Sequence, residues 1–104
     1  MAPDPFKYFR IEARELLEQF DAGVLELEKG QNTAETIRKI LRAAHTLKGA
    51  ARVVKQSKIA DHAHAIEELL QPFRESTLAV PRATTDPLLE RLEAIRAALA
   101  GLDP

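Results

Sequence analysis

The stretch Asn32–Val54, NTAETIRKILRAAHTLKGAARVV, decides how this chain folds. Ile37, Ile40, Leu41, Ala44, Leu47, Ala51 and Val54 recur mostly three and four residues apart, the spacing that gathers side chains on one face of a helix with about 3.6 residues per turn. Asn32 followed by Glu35 has the form of a capping box. The spacing therefore predicts a helix over 33–54 with one apolar face, and a face of that kind must be buried against other elements.

Those elements lie on both sides of it. Before it, Phe6, Phe9, Ala13, Leu16, Phe20, Val24 and Leu27 form a second stripe behind the start signal Asp4-Pro5, predicting a helix over 5–28 that Gly30 stops and Gly23 weakens. After it, Lys55-Gln56-Ser57 is a break short enough to fold the next segment back antiparallel. That segment, 58–74, carries Ile59, Ala63, Ile66, Leu69, Leu70 and Phe73, with Pro72 ending or kinking it near Gln71. Residues 75–85 lack a helical period and read as a loop. Asp86-Pro87 repeats the opening signal before Leu88, Leu92, Ile95 and Leu99, predicting a last helix over 87–100. The expected fold is all-α: one antiparallel four-helix bundle spanning residues 1–104, with the four phenylalanines in its core.

Composition narrows what such a bundle does. The 104 residues carry 45% hydrophobic and 30% charged side chains, enough for one core and a soluble surface. Fifteen Lys and Arg against sixteen Asp and Glu leave a formal charge of -1, which argues against nucleic acid or an anionic membrane as a partner. The absence of cysteine excludes disulfides and thiolate chemistry, and fits a reducing cytoplasm. No run of residues is long and apolar enough to span a bilayer, and Met1-Ala2-Pro3-Asp4-Pro5 has no signal-peptide character. There is no Gly-rich phosphate loop, so any ATP must be bound elsewhere.

His45 stands out. Laid out at about 100° per residue, it falls about 130° from the centre of the 33–54 stripe, among Arg38, Arg42, Lys48, Gly49 and Arg52. That cationic, exposed setting suits an anion, although many solvated surface histidines share it. An imidazole that accepts a phosphoryl group needs one free, unprotonated ring nitrogen, and gains from a carboxylate on the other. It also gains from a nearby cation, which Lys48 supplies as a mobile charge, and from the open approach beside Gly49. On the next helix His64 and Glu67 share a face. Glu67 and His45 each stand eleven positions from Gln56, so the hairpin sets them level, with Glu67 as acceptor for the Nδ1 proton and Nε2 as the reacting atom. His62 points to roughly the opposite side of its helix, toward solvent.

Arg42-Ala43-Ala44-His45-Thr46-Leu47-Lys48-Gly49-Ala50-Ala51 resembles the phosphorylation-site helix of histidine-containing phosphotransfer (Hpt) domains, above all the N-terminal domain of CheA-type chemotaxis histidine kinases with its HxxKG pattern. His64 and Glu67 match that family's second-helix pair. The resemblance implies a two-component phosphorelay. A kinase catalytic domain, usually of the same parent protein, supplies the γ-phosphoryl of ATP, and a response-regulator receiver domain takes it onto an aspartate. His45 would be the phosphoacceptor, Lys48 the stabilising cation, His64 and Glu67 the supporting network and Gly49 the clearance position. The resemblance assigns nothing to Arg38, Arg42 and Arg52; as cations on the same face they are read as docking candidates. The domain itself would be a phosphoacceptor without catalysis and without a cofactor, ATP and magnesium staying with the kinase. One departure is the segment Arg52-Val53-Val54-Lys55-Gln56, where the CheA pattern is glycine-rich. The family's frequent fifth helix is missing here, and Leu102-Asp103-Pro104 reads as the start of a linker. Two other readings are a docking bundle without phosphotransfer and a zinc site of His45, His64 and Glu67, the latter disfavoured by the surrounding cations.

Overall fold

The computed structural model describes residues 3–103. Met1, Ala2 and Pro104 lie outside the described residues, and with them the outer limits of the 1–104 domain, the first residues of the N-terminal reading and the last of the linker reading. Four helices follow in order: α1 Lys7–Lys29, α2 Thr33–Val53, α3 Ser57–Leu70 and α4 Arg82–Ala100, with a short 3-10 helix at Gln71–Phe73. They form an antiparallel all-α bundle whose described part measures 52 × 20 × 19 Å. α2 packs against α1 and α3, α3 against α4, and α1 and α4 meet along less of their length.

The stripes build the core. Phe20, Leu27, Ile37, Leu47, Ile59, Ile66, Leu70, Leu88, Leu92 and Ile95 are its largest fully buried side chains, drawn from all four helices. Of the phenylalanines expected there, Phe9 and Phe20 are buried, whereas Phe6 and Phe73 lie at the margin with part of their surface exposed. α1 is not interrupted at Gly23. This glycine is buried against Ile40 of α2, and a Cβ there would lie 2.6 Å from Ile40 Cγ1 and 2.8 Å from Cδ1, well inside the distance at which carbon atoms attract. The missing side chain lets the two helices approach.

Three helix starts differ from the sequence expectation, those of α1 and α4 in position and that of α2, which begins at Thr33 as expected, in its cap alone. Asp4 does not cap a helix starting at 5: α1 begins at Lys7, and the Asp4 carboxylate accepts a hydrogen bond from the Phe6 N–H at 3.0 Å, with the rest of its capacity given to Arg10. Asn32 makes no side-chain cap at α2; it sits in the left-handed region at φ 52°, and Glu35 pairs with Lys39 at 3.5 Å instead. α4 starts at Arg82, five residues before the predicted start at 87, after Pro81 in extended conformation. Its opening turn forms because Thr84 and Thr85 N–H groups donate to the Pro81 carbonyl at 2.9 and 3.1 Å, while Val80 and Thr85 are buried. Pro87 is thus inside the helix. The carbonyl it leaves without an N–H is that of Ala83, an exposed residue that water can reach.

The α2–α3 turn closes without glycine. Gln56 N–H donates to Ala51 O at 2.8 Å and Lys55 N–H to Arg52 O at 3.1 Å, with Lys55 at φ 61°. These are the two bonds of a Schellman motif, with lysine where glycine usually stands. At the same end of the bundle, Arg10 of α1 is buried and donates to both Asp4 oxygens and to the Leu102 carbonyl, with its Nε 3.3 Å from Asp103. One side chain therefore ties the entry of α1 to the exit of α4. The guanidinium hydrogen bond, followed by the Phe6 N–H, holds the Asp4 carboxyl below its ordinary range.

Candidate functional site

α2 presents His45 on the face that its apolar stripe leaves outward, and the imidazole side chain is 75% exposed. Across the hairpin, α3 presents Glu67 level with it: His45 Nδ1 lies 3.7 Å from Glu67 Oε2. That separation is an ion-pair distance and too long for a hydrogen bond. Nε2 has no hydrogen-bond partner among the described residues.

Lys48 stands one turn beyond His45, and its ammonium reaches Glu67 Oε1 at 2.6 Å. That oxygen is buried and no hydrogen bond of good geometry reaches it, so the pair is held chiefly by charge. The Lys48 side chain is 13% exposed. This differs from the mobile charge expected from sequence: the lysine lies along the bundle and is engaged by the carboxylate between it and His45. The arrangement is a three-membered row in which one carboxylate serves the cation with one oxygen and faces the imidazole with the other.

The remaining residues singled out from sequence fall in different places. His64 does not join the row; its Nε2 meets Glu68 Oε1 at 2.7 Å, a contact between successive turns of α3 that draws the ring away from Glu67. His62, expected to face solvent, is partly covered and its Nδ1 lies 3.1 Å from Arg91 Nη1 of α4. His45, His64 and Glu67 do not converge as a zinc site would require, and no group of three potential metal ligands exists among the described residues. Gly49 is exposed, with nothing within 4 Å of where a Cβ would be, so any need for clearance comes from outside the chain. Arg42 and Arg52 are both exposed.

Arg42 also belongs to something the sequence reading did not assemble. Together with Arg38 and Arg74 it walls a groove that runs beside His45 and Thr46 toward the 3-10 helix. Arg38 Nη1 donates to the Arg74 carbonyl at 3.3 Å. Arg74 follows Pro72 in a segment whose shape periodicity does not specify, which is why its position beside α2 could not be read. The available signal was the basic spacing Arg38, Arg42 on the His45 side of α2.

The model of the Hpt domain family matches residues 6–99. The chain is 37% identical over 93 residues to the chemotaxis protein CheA of Treponema pallidum (strain Nichols), covering 89% of this chain and 12% of that protein. It is 32% identical over 89 residues to the CheA of Borreliella burgdorferi (86% of this chain, 10% of that protein). Against the sensor histidine kinase CheAY of Helicobacter pylori it is 28% identical over 91 residues, 88% of this chain and 11% of that one. The chain thus spans about a tenth of the length of these curated relatives. No solved structure matches it at the same stringency. None of the four described helices is long and apolar enough to cross a membrane.

Proposed function

The chain belongs to the Hpt domain family, whose place is in two-component phosphorelay signalling, and from that premise we propose that His45 accepts a phosphoryl group from a CheA-like kinase domain and gives it to an aspartate of a receiver domain. The observation that carries this is the exposed imidazole with Nδ1 turned to a carboxylate and Nε2 unoccupied.

In the first transfer the Nε2 lone pair forms a bond to the γ-phosphorus of ATP held by the kinase, and the bond from that phosphorus to the bridging oxygen breaks toward ADP. The proton on Nδ1 stays where it is, and the ring becomes positively charged. Glu67 opposes that charge. To make a charged hydrogen bond of roughly 2.8 Å it must close by about 1 Å, a movement within side-chain freedom for a group 23% exposed. Lys48 pairs with Glu67 and holds it oriented on the Nδ1 side of the ring. In the second transfer the Nε2–phosphorus bond breaks, its electrons return to the ring, and an aspartate oxygen of the receiver takes the phosphorus. ATP and magnesium belong to the kinase in this scheme.

The test is incubation of the wild type and His45→Gln with the cognate kinase domain and labelled ATP. The wild type should take up acid-labile, alkali-stable label and pass it to a receiver domain; the variant should take up none. Equal labelling of the variant overturns the assignment.

A further inference from the structure

The arginines beside His45 are not balanced. Arg10, Arg14 and Arg96 each pair with a carboxylate in this fold. Arg38, Arg42 and Arg74 pair with none among the described residues, yet they wall one groove of about 490 Å3 with His45 at its edge. Arg38 also spends a donor on the Arg74 carbonyl, which holds α2 and the 3-10 turn together at this point. Three unneutralised guanidinium groups around one concavity repel one another unless an anion enters. Guanidinium forks match the oxygens of phosphates in bidentate geometry.

The dimensions favour a chain of phosphates over a single one. His45, Arg42 and Arg38 succeed one another along α2, and from His45 to Arg38 is seven residues, about 10 Å of helix axis at 1.5 Å per residue. Leu41 lines the groove between them and Thr46 just beyond His45, and no acidic side chain lines it.

We propose that this groove is a polyphosphate subsite: it receives the phosphates of the donor nucleotide while His45 attacks the terminal one. The inference rests on the phosphoacceptor reading above. As the Nε2–phosphorus bond forms and the bond to the bridging oxygen breaks, the electron pair stays on the departing diphosphate. The arginines meet the negative charge that grows there, in addition to whatever the kinase supplies. Lys48 and Glu67 serve the imidazole from one side, and the arginine groove serves the leaving group from the other.

Two measurements decide it. In the first, the isolated chain is titrated with inorganic tripolyphosphate and separately with orthophosphate, followed by the arginine Nε–Hε resonances. Tripolyphosphate should shift Arg38, Arg42 and Arg74 in a saturable manner, with orthophosphate much weaker, and the triple variant Arg38→Gln, Arg42→Gln, Arg74→Gln should show no response. In the second, the same variant is phosphorylated by the kinase domain with ATP and by phosphoramidate, a donor with one phosphoryl group and no polyphosphate. Labelling from ATP should fall by at least about tenfold, the scale of losing charged hydrogen bonds, and labelling from phosphoramidate should not change. The three residues are exposed, so far-UV circular dichroism should match the wild type. Unmoved arginine resonances, or ATP labelling within about twofold of wild type, overturn the subsite. A parallel loss with phosphoramidate also overturns it, because the arginines then act on His45 itself. Failure of the wild type to take label from ATP overturns the phosphoacceptor reading and the nucleotide assignment with it, whereas a missing tripolyphosphate response overturns the groove alone.

Discussion

Replacing Gly23 by alanine tests the closest approach between α1 and α2. A methyl group at that position would lie 2.6 Å from Ile40 Cγ1 and 2.8 Å from Cδ1, whereas carbon atoms settle at about 3.5–4.0 Å. Relief requires roughly 1 Å of movement, and Ile40 is only 2% exposed, so the helices must separate or the isoleucine must leave its rotamer. Overpacking of this kind costs about 1–3 kcal/mol, and alanine returns about 1 kcal/mol of helix propensity. The expected net effect is a loss of about 1 kcal/mol, a fall in midpoint temperature of roughly 4 °C for a domain of this size. Ile40→Ala removes both crowding atoms. In that background, itself destabilised by about 2–5 kcal/mol, Gly23→Ala should raise stability by about 1 kcal/mol, giving a coupling near 2 kcal/mol. Urea titrations of the wild type, both single variants and the double variant, read by far-UV circular dichroism, measure all four corners. A stabilising Gly23→Ala in the wild-type background, or a coupling within about 0.5 kcal/mol of zero, refutes the close-contact argument.

Other consequences are tested more briefly. Lys55 holds a left-handed conformation at φ 61° in the α2–α3 turn; Lys55→Gly should stabilise the domain by about 0.5–1 kcal/mol, the strain relieved less the added backbone entropy, and an unchanged or lower urea midpoint contradicts this. Glu67→Gln removes a charge 3.7 Å from His45 Nδ1; at that distance a unit pair is worth about 1 kcal/mol in water and about 4 at an effective dielectric of 20. The exposed ring lies nearer the first limit, so phosphorylation by the kinase should slow by about 5- to 30-fold with the fold intact, and an unchanged rate rejects Glu67 as the partner of the imidazole. Because Arg10 lowers the Asp4 pKa, the unfolded chain binds the Asp4 proton at higher pH than the folded one. The stability from this contact is therefore present above the ordinary aspartate range and lost as pH falls through the lowered folded value. Thermal scans should show Asp4→Asn narrowing the difference between neutral and acid midpoints, and an identical pH profile in wild type and variant would count against the contact.

What the sequence made legible were features fixed over short distances. The stripes of α1, α2 and α3 emerged because each helix buries one face, and the level pairing of His45 with Glu67 followed from a hairpin whose turn is too short to allow another register. Choices among competing partners were not legible. Glu67 could serve His45 or Lys48, and His64 could serve Glu67 or Glu68; distances of an ångström decide between them, which spacing cannot express. The start of α4 was hidden because Pro87 carries the same signal at a first turn as inside a second one, and the burial of Val80 and Thr85 that favours the earlier start comes from distant helices. Arg10 reads as an ordinary surface charge until the carbonyl of Leu102, 92 residues away, is placed beside it.

That arginine makes the order of the helices separable from their arrangement. With Asp4, Leu102 and Asp103 gathered on one guanidinium, the ends of the described chain are neighbours, and a short bridge could join them. The exposed segment around Thr77–Ala79 could then be opened to give a circular permutant that begins with α4 and runs through α1 to α3. In such a molecule α2 and α3 remain consecutive, so His45, Lys48 and Glu67 keep their turn and their register. The row beside the imidazole is thus a property of one helical hairpin, which the rest of the bundle supports in whatever order it is threaded.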